Sequence, residues 1–232
     1  MRVWDVSPGY LDRLRLLGEH RELHGIHVIL SEGKRGYANH PETRRWDGCL
    51  DALALRHGQL AAEARLRGYT DRTPLPIPRG SCAWPRTFVT EPAEQFALLR
   101  RKYGAAGKGR IPLPRNVQQL WAHHKYSVMA RSVPDYEAIG RLVARKGTAP
   151  SIADLSNTLV GILRERPGRA RLVNALEHMW GHVRPHALAE EAGGFKRGPA
   201  AAALAIVQTV AMRCGEPYLV RSTALSELAV YC

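Results

Sequence analysis

The chain has 232 residues and a formal net charge of +13 at pH 7, from 34 Lys and Arg against 21 Asp and Glu. No apolar run approaches the roughly 18 residues of a membrane span, and the amino terminus lacks a basic-then-apolar leader. The four cysteines form no Cys-x-x-Cys pair, which excludes a zinc ribbon or dithiol redox motif and is typical of a reducing compartment. We therefore expect a cytoplasmic protein without a membrane partner, whose positive field favours a polyanion.

The first predicted element is a long amphipathic helix over residues 8–31. Ser7 and Pro8 are typical of a helix start, because Ser caps the first turn and Pro fits the first helical position. At 100° per residue, Glu22 lies on the same side of this helix as a set of apolar or small residues. That set consists of Leu11, Gly18, Ile26 and Ile29.

Glu22 is thus predicted to point towards the protein interior. An ionised carboxylate is rarely buried unless it is paired or takes part in chemistry. Two interpretations stay open from spacing alone. Glu22 either forms a structural ion pair with Arg15 or Arg21, or it is a reactive group.

A second helix is predicted over 42–67, where Pro41 stands near its start and Gly68 at its end. Residues 70–90 are predicted to be irregular, because prolines interrupt any helix there. A short helix follows over 91–103. The stretch 104–114 is rich in Gly and Pro, so it predicts a boundary between a domain of residues 1–113 and one of residues 114–232.

The second domain shows apolar stripes at helical spacing and no competing alternating pattern of strand length. The fold class is therefore all-α, with one helical domain following another. The stripes lie in residues 116–131, 151–165, 169–184 and 199–213.

Several short motifs in the first 75 residues occur in the order and spacing of a known family. They are Arg2-Val3, the run from Leu16 to Leu23 containing Arg21-Glu22-Leu23, Gly33-Lys34-Arg35, Leu60-Ala61-Ala62-Glu63 and Leu66-Arg67-Gly68-Tyr69. Together they resemble the phage-type pyrimidine-dimer DNA glycosylase/AP lyases, the endonuclease V of ultraviolet repair. The resemblance covers residues 1–75 well and 91–112 loosely, and it implies a helical glycosylase-like domain.

The resemblance also implies an amine nucleophile and a helix-borne carboxylate. An α-amine suits such chemistry, because its usual pKa of about 7.7–8.0 leaves a neutral fraction at pH 7. In the phage-type enzymes a small hydroxyl residue exposed by methionine removal supplies the amine. Here Arg2 is too large for that removal, so Met1 is expected to be retained and to act as nucleophile with Glu22.

The implied substrate is damaged double-stranded DNA, with no cofactor and no metal. Arg2 and Arg21 match family arginines that hold the phosphates around a lesion. Lys34, Arg35 and Lys102 are further candidates for contacts to the DNA backbone. This chain departs from the family at Leu14 and Gly25 and lacks its aromatic carboxy-terminal segment, so the lesion could be a pyrimidine dimer or related base damage.

The second domain resembles the uncharacterised bacterial YbgA-like helical family. The resemblance rests on His123-His124-Lys125-Tyr126, on Ile139 to Ala144, on the run from Asn174 to His182 and on Pro217-Tyr218-Leu219. It implies a helical domain that assists DNA engagement or binds a protein partner. It implies no activity.

Two alternatives to a repair enzyme follow from the residues. A basic helical chain could be a non-catalytic nucleic-acid-binding adaptor. Histidines at helical spacing could chelate zinc or iron, but the lack of a His-Glu-x-x-His motif favours solvated helix faces, so no metal site is predicted. Those histidines are His20, His24 and His27 in the first domain and His178, His182 and His186 in the second.

Overall fold

A computed structural model describes residues 1–103, 108–145, 147 and 149–232. Within these residues the fold is all-α, as predicted, and has no β-strand. The helices are α1 Arg13–Glu32, α2 Pro41–Arg45, α3 Leu50–Leu66, α4 Pro92–Tyr103, α5 Val117–Met129, α6 Val133–Ala144, α7 Ile152–Arg164, α8 Arg169–Val183, α9 Ala189–Arg197, α10 Ala200–Cys214, α11 Pro217–Val220 and α12 Ala224–Glu227. None of them is long and apolar enough to cross a bilayer.

The first helix begins later than predicted. Ser7 caps only a single 3-10 turn, Pro8–Tyr10, in which the Gly9 N–H donates to Ser7 Oγ at 3.2 Å. Leu11 is extended, because both it and Tyr10 are fully buried and the chain turns into the core here. Asp12 then caps α1 by accepting a hydrogen bond from the Arg15 N–H at 2.8 Å.

The predicted helix 42–67 is two helices, α2 and α3. The chain breaks between them because Gly48 adopts a left-handed conformation (φ 73°) and Trp46 turns into the core with 1% exposure. Residues 70–90 contain no helix, as the prolines predicted. The sequence predicts no apolar stripe for α6 or α9. In the structure α6 buries only Ile139 and Val143, and α9 buries no residue.

The buried apolar residues form two clusters. The larger one extends from Val3 to Leu159 and includes residues of α1, α3, α4, α5, α6 and α7, whereas the smaller one is built around α8 and α10. Helix α5 contributes to both clusters. The boundary at 113/114 stays a prediction, and residues 104–107 of that Gly-rich stretch lie outside the described residues. The apolar packing itself is continuous across the two sequence halves.

A buried polar network also crosses between the halves. Glu63 of α3 accepts hydrogen bonds from Arg67 (2.8 Å), from Arg110 (2.7 Å) and from Ser226 Oγ (2.6 Å). Arg110 additionally donates to the carbonyl of Val220 at 2.5 Å. The two guanidinium groups hold the pKa of Glu63 below its usual value against the effect of burial.

Candidate active site at the amino terminus

The first six residues lie as an extended segment against the helices instead of projecting into solvent. Val3, Trp4 and Val6 are each no more than 5% exposed and belong to the larger core cluster. The Trp4 N–H donates to Glu19 Oε1 at 3.2 Å. Burial of these side chains fixes the path of the chain terminus, because leaving any of them exposed forfeits roughly 1.5–3 kcal/mol.

The acid beneath this segment is Glu19, paired with Arg56 of α3. Arg56 donates to both oxygens of Glu19, at 2.8 and 3.1 Å, and to the carbonyl of Val6 at 3.0 Å. Burial raises the pKa of Glu19, while Arg56 and the Trp4 N–H oppose that rise. The ion pair, rather than water, therefore stabilises the charge on this carboxylate.

Asp5 anchors the same segment to three further elements. Its carboxylate accepts hydrogen bonds from Arg45 of α2 at 3.2 Å, from Arg164 of α7 at 3.2 Å and from Gln95 of α4 at 3.0 Å. Gln95 also accepts from the Asp5 N–H at 2.8 Å. With its neighbours buried and its own polar groups paired, residue 5 holds the chain terminus against α2, α4 and α7.

The α-amino nitrogen of Met1 lies 3.8 Å from Glu22 Oε1. The Met1 side chain is only 9% exposed, and its sulfur accepts a hydrogen bond from Thr43 Oγ1 at 3.3 Å. The Glu22 side chain is 37% exposed. The structure thus brings a positioned amine and an accessible carboxylate to one place.

The environment of Glu22 differs from that predicted. The buried face of α1 consists of Leu16, Glu19, Leu23 and Ile26. Glu22 lies one turn beyond Glu19 at the margin of that face, and its side chain is 37% exposed. Neither predicted ion pair of Glu22 forms, since Arg15 pairs with Asp12 at 2.5 Å and Arg21 is exposed.

Arg2 and Arg21 are next to Met1 and Glu22 in sequence but differ in environment. Arg2 is half-buried, donates to Thr90 Oγ1 at 3.1 Å and lies over the Trp4 ring at 5.2 Å. Arg21 is exposed on α1 beside Glu22. The Arg2 guanidinium is therefore held by protein contacts, whereas Arg21 is exposed to solvent.

The structure does not gather Lys34, Arg35 and Lys102 at the amine. Lys34 pairs with Glu32 at 2.8 Å and, like Arg35, is exposed after the end of α1, which is about 15 Å along the helix from Glu22. Lys102 is exposed at the end of α4, where its carbonyl accepts from Arg15 Nη2 at 3.4 Å near the start of α1. These cations flank the candidate site at both ends of α1.

A second polar cluster lies on the opposite side of α1. The prediction that His20 and His24 lie on a solvated helix face is wrong, because both rings turn towards the buried His57 of α3. Sequence reasoning missed His57 and its neighbour Asp71, since neither lies at a helical spacing from the first two. Their juxtaposition depends on the packing of α1 against α3.

The histidines of the second domain do not gather. The expected solvated face is found for His178 and His186, which are exposed. His182 instead lies 2.5 Å from the hydroxyl oxygen of Tyr126 and 3.7 Å from Glu216.

Two family models match the chain. Residues 1–76 match the family described as Pyrimidine dimer DNA glycosylase, and residues 125–227 match the one described as Protein of unknown function (DUF1722). Both resemblances found in the sequence are confirmed by these matches. No curated protein and no solved structure gives a match. The amino-terminal third is thus pyrimidine-dimer-DNA-glycosylase-like, and Met1, Glu22, Arg2 and Arg21 fall inside the matched range while Lys102 falls outside it.

Proposed function

We propose that this protein is a DNA glycosylase and AP lyase that repairs ultraviolet photoproducts (pyrimidine dimers) or closely related base damage. The nucleophile is the α-amine of Met1, and Glu22 is the acid that works with it. The substrate is damaged double-stranded DNA. The observation that carries the proposal is the distance of 3.8 Å between the Met1 nitrogen and Glu22 Oε1, within a region matching a glycosylase family.

The chemistry needs an amine that is accessible yet held in place. The neutral amine attacks C1′ of the damaged nucleotide and the base leaves with the electrons of the glycosidic bond. The nitrogen's electron pair then breaks the C1′–O4′ bond, O4′ takes up a proton, and the opened sugar is left as a Schiff base. The Schiff base makes the C2′ proton acidic, and loss of that proton expels the 3′ phosphate by β-elimination. Anchoring of Met1 through Thr43 and of Asp5 through three helices supports such a role, because orientation removes an entropic cost from the attack.

Glu22 supplies the second requirement. A carboxylate beside C1′ stabilises the positive charge that develops as the base departs, and it can carry protons during ring opening and elimination. The 3.8 Å gap to the amine exceeds a close hydrogen bond, so the carboxylate is not tied to the amine in the resting protein. Its partial exposure leaves it open to a nucleotide from the solvent side.

Binding of the duplex is assigned to basic side chains on α1, beyond its end, in the amino-terminal segment and at the end of α4. Arg2 and Arg21 contact the phosphates nearest the lesion, and Lys34, Arg35 and Lys102 contact the backbone further away. A net charge of +13 supports this assignment, since neutralising phosphates releases counterions and drives association. The damaged nucleotide leaves the stack to reach the amine, which costs least where stacking is already weak.

The carboxy-terminal domain, residues 114–232, is proposed to support DNA engagement or to bind a protein partner. Its helices α5 and α7 contribute to the core that surrounds the amino-terminal segment, and Arg164 of α7 bonds directly to Asp5. A partner or a DNA strand bound there would act on the same packed unit as the candidate site. The protein is proposed to act in the cytoplasm, in association with the nucleoid.

The decisive experiment is borohydride trapping on a duplex that carries one abasic site, followed by a duplex with one pyrimidine dimer. The wild-type chain should yield a covalent adduct whose peptide map identifies Met1. Glu22→Gln should lower strand cleavage by about 100-fold or more, in the range for loss of a general acid or base. Glu32→Gln is the matched control, because Glu32 lies on the same helix and, among the described residues, pairs with the exposed Lys34.

The outcomes separate the two functions considered for the chain. Adduct formation at Met1 together with loss of cleavage in Glu22→Gln supports the repair enzyme. Salt-sensitive DNA binding without adduct or cleavage overturns it in favour of the adaptor. Cleavage of abasic DNA without action on a dimer keeps the lyase and assigns a different lesion.

A further inference from the structure

Three imidazole nitrogens converge between α1, α3 and the segment that follows α3. Nε2 of His57 lies 2.9 Å from Nε2 of His20 and 3.0 Å from Nε2 of His24. The Asp71 carboxylate lies beside them, with Oδ1 at 3.3 Å from His20 Nε2 and Oδ2 at 4.0 Å from His57 Nε2. His20 and His24 are one helical turn apart, so both rings leave the same face of α1.

Hydrogen bonds alone do not account for this arrangement. A neutral imidazole carries one N–H and one lone pair, on different ring nitrogens. If His57 Nε2 carries the hydrogen, it can point at only one of its two nitrogen neighbours. If His57 Nε2 carries the lone pair, that single pair faces both neighbours. Either way at least one contact of about 3 Å is poorly satisfied, in a place where the His57 side chain is 1% exposed.

Lone pairs directed at a common point are instead what a metal ion requires. Ligands bound tetrahedrally to zinc at about 2.0–2.1 Å lie roughly 3.3–3.4 Å apart. The two nitrogen pairs that include His57 are 2.9 and 3.0 Å apart, a few tenths of an ångström shorter. The ligand atoms of the three histidines all fall within 4.8 Å of one another. Small ring rotations would suffice to place an ion among them.

The protonation states of His57, His24 and Asp71 are also those that metal binding requires. Burial, together with the neighbouring histidines, lowers the pKa of His57 to about 4, and burial lowers that of His24 as well. Both rings are therefore neutral at pH 7, as a metal ligand must be. Asp71 is ionised, because the N–H of Thr73 at 3.0 Å and the adjacent histidines hold its pKa below the usual value.

The surroundings supply an orienting contact and a path for the ion. The Thr73 N–H fixes the Asp71 carboxylate, and Thr73 Oγ1 lies 3.1 Å from His24 Nε2. A cavity of about 100 Å³ lies beside His57 and Asp71, lined also by Pro74 and Ile77. The cavity gives water and a hydrated ion access on the His57 side, and the His20 side chain is itself 23% exposed.

We propose that His20, His24, His57 and Asp71 bind one divalent transition-metal ion, with Zn²⁺ the best match to three imidazoles and one carboxylate. The ion joins α1, which carries Glu22, to α3 and to the first residues of the irregular segment 70–90. It is separate from the proposed reaction, because His20 and His24 point about 160° away from Glu22 around the helix axis. The site serves to fix α1 and the following segment in place.

The test is made on the full chain, purified through a tag that contains no histidine. Elemental analysis should find close to one equivalent of a divalent transition metal, and the identity among Zn, Fe, Mn and Co is read directly. After chelation, titration with Zn²⁺ should restore one equivalent and raise the Tm. Co²⁺ substitution should give the visible absorption of a four-coordinate site.

Variants distinguish the metal ligands from a nearby histidine that does not bind the ion. His57→Gln and Asp71→Asn should each lower Zn²⁺ affinity by 100-fold or more. His27→Gln is the matched control, because it removes a histidine of the same helix that lies outside the cluster, and it should bind Zn²⁺ as wild type does. If His57→Gln fails to fold, His20→Gln, whose side chain is 23% exposed, replaces it.

Two results would overturn the proposal. One is binding of less than a tenth of an equivalent of any of the four metals by the folded wild-type chain. The other is equal loss of binding in His27→Gln and Asp71→Asn. Neither readout depends on DNA cleavage, so failure of the metal site and failure of the proposed repair activity remain distinguishable.

Discussion

Arg56 donates hydrogen bonds to both carboxylate oxygens of Glu19, and this ion pair lies directly beneath the extended amino-terminal segment. The same guanidinium reaches the carbonyl of Val6, while Glu19 accepts from the N–H of Trp4. Helices α1 and α3 therefore hold the chain terminus through one charged pair. The position of the Met1 amine depends on a glutamate three residues before the proposed catalytic one.

The first prediction separates these two glutamates. Glu19→Gln should lower the free energy of unfolding by about 3–5 kcal/mol, because it leaves the buried Arg56 without its charged partner. Glu22→Gln should change it by less than about 0.5 kcal/mol, since that side chain is 37% exposed. Urea denaturation followed by circular dichroism measures both. Equal destabilisation by the two substitutions would contradict the assignment of Glu19 as the structural acid.

The second prediction concerns the chain terminus itself. Adding one glycine before Met1 moves the free amine by up to about 3.8 Å, the spacing of consecutive Cα atoms, and replaces it with an amide nitrogen. Borohydride trapping should then fall by at least about 100-fold while the Tm stays unchanged. The control carries the same cleavable tag but leaves Met1 as the first residue, checked by intact mass. Undiminished trapping after extension would point to a lysine as the nucleophile.

The sequence predicted the helical class, the irregular segment 70–90 and most helix positions, because apolar periodicity and proline placement are local properties. It failed at the start of α1, where tertiary burial of Tyr10 and Leu11 overrides the Ser7-Pro8 signal. It also failed between α2 and α3, where Trp46 packs inward. Local capping rules carry no information about either packing event.

The candidate site was predictable only in part. The resemblance to the glycosylase family identified Met1 and Glu22. The angular position of Glu22 on the helix predicted that its side chain is buried, but the buried glutamate of α1 is Glu19. The reason is that the chain terminus itself covers α1, and no periodicity reveals what covers a helix. His57 was missed for a related reason, since its approach to His20 depends on the register between two helices 37 residues apart in the chain.

The third prediction tests the flanking cations. If Lys34 and Arg35 contact phosphates, replacing each by Gln should reduce the slope of log affinity against log salt by about 1. Lys196→Gln on α9 is the control, because this exposed cation is not among the side chains assigned to the DNA backbone, and it should leave the slope unchanged. Fluorescence anisotropy with a labelled duplex over a range of salt concentrations gives the slopes. An unchanged slope in the double variant Lys34→Gln/Arg35→Gln would remove both residues from the DNA interface.

The fourth prediction is a loss of stability in acid, through two histidines near Tyr10. Burial lowers the pKa of His123 to about 4 and that of His124 to about 3, against a usual value near 6.5. Between the lowered pKa values of the folded chain and the usual value near 6.5, the unfolded chain binds more protons than the folded one. Stability therefore rises with pH in this range. Above about pH 6.5 both histidines are neutral in the folded and in the unfolded chain, and they cost no stability. As the pH falls towards 4, the two residues together lower the free energy of unfolding by on the order of 5 kcal/mol.

His124→Leu is the informative variant for this prediction. Nδ1 of His124 has no hydrogen-bond partner among the described residues, so an apolar side chain breaks no bond at that atom. Because the pKa of His57 is also lowered to about 4, three buried histidines share this window, and the variant should lose roughly a third of the pH dependence between 6.5 and 4. The exposed His178→Gln should keep all of it. Urea unfolding at several pH values, with EDTA present so that metal release from the His57 cluster does not contribute, measures the slopes. A wild-type slope in His124→Leu would show that other groups cause the acid transition.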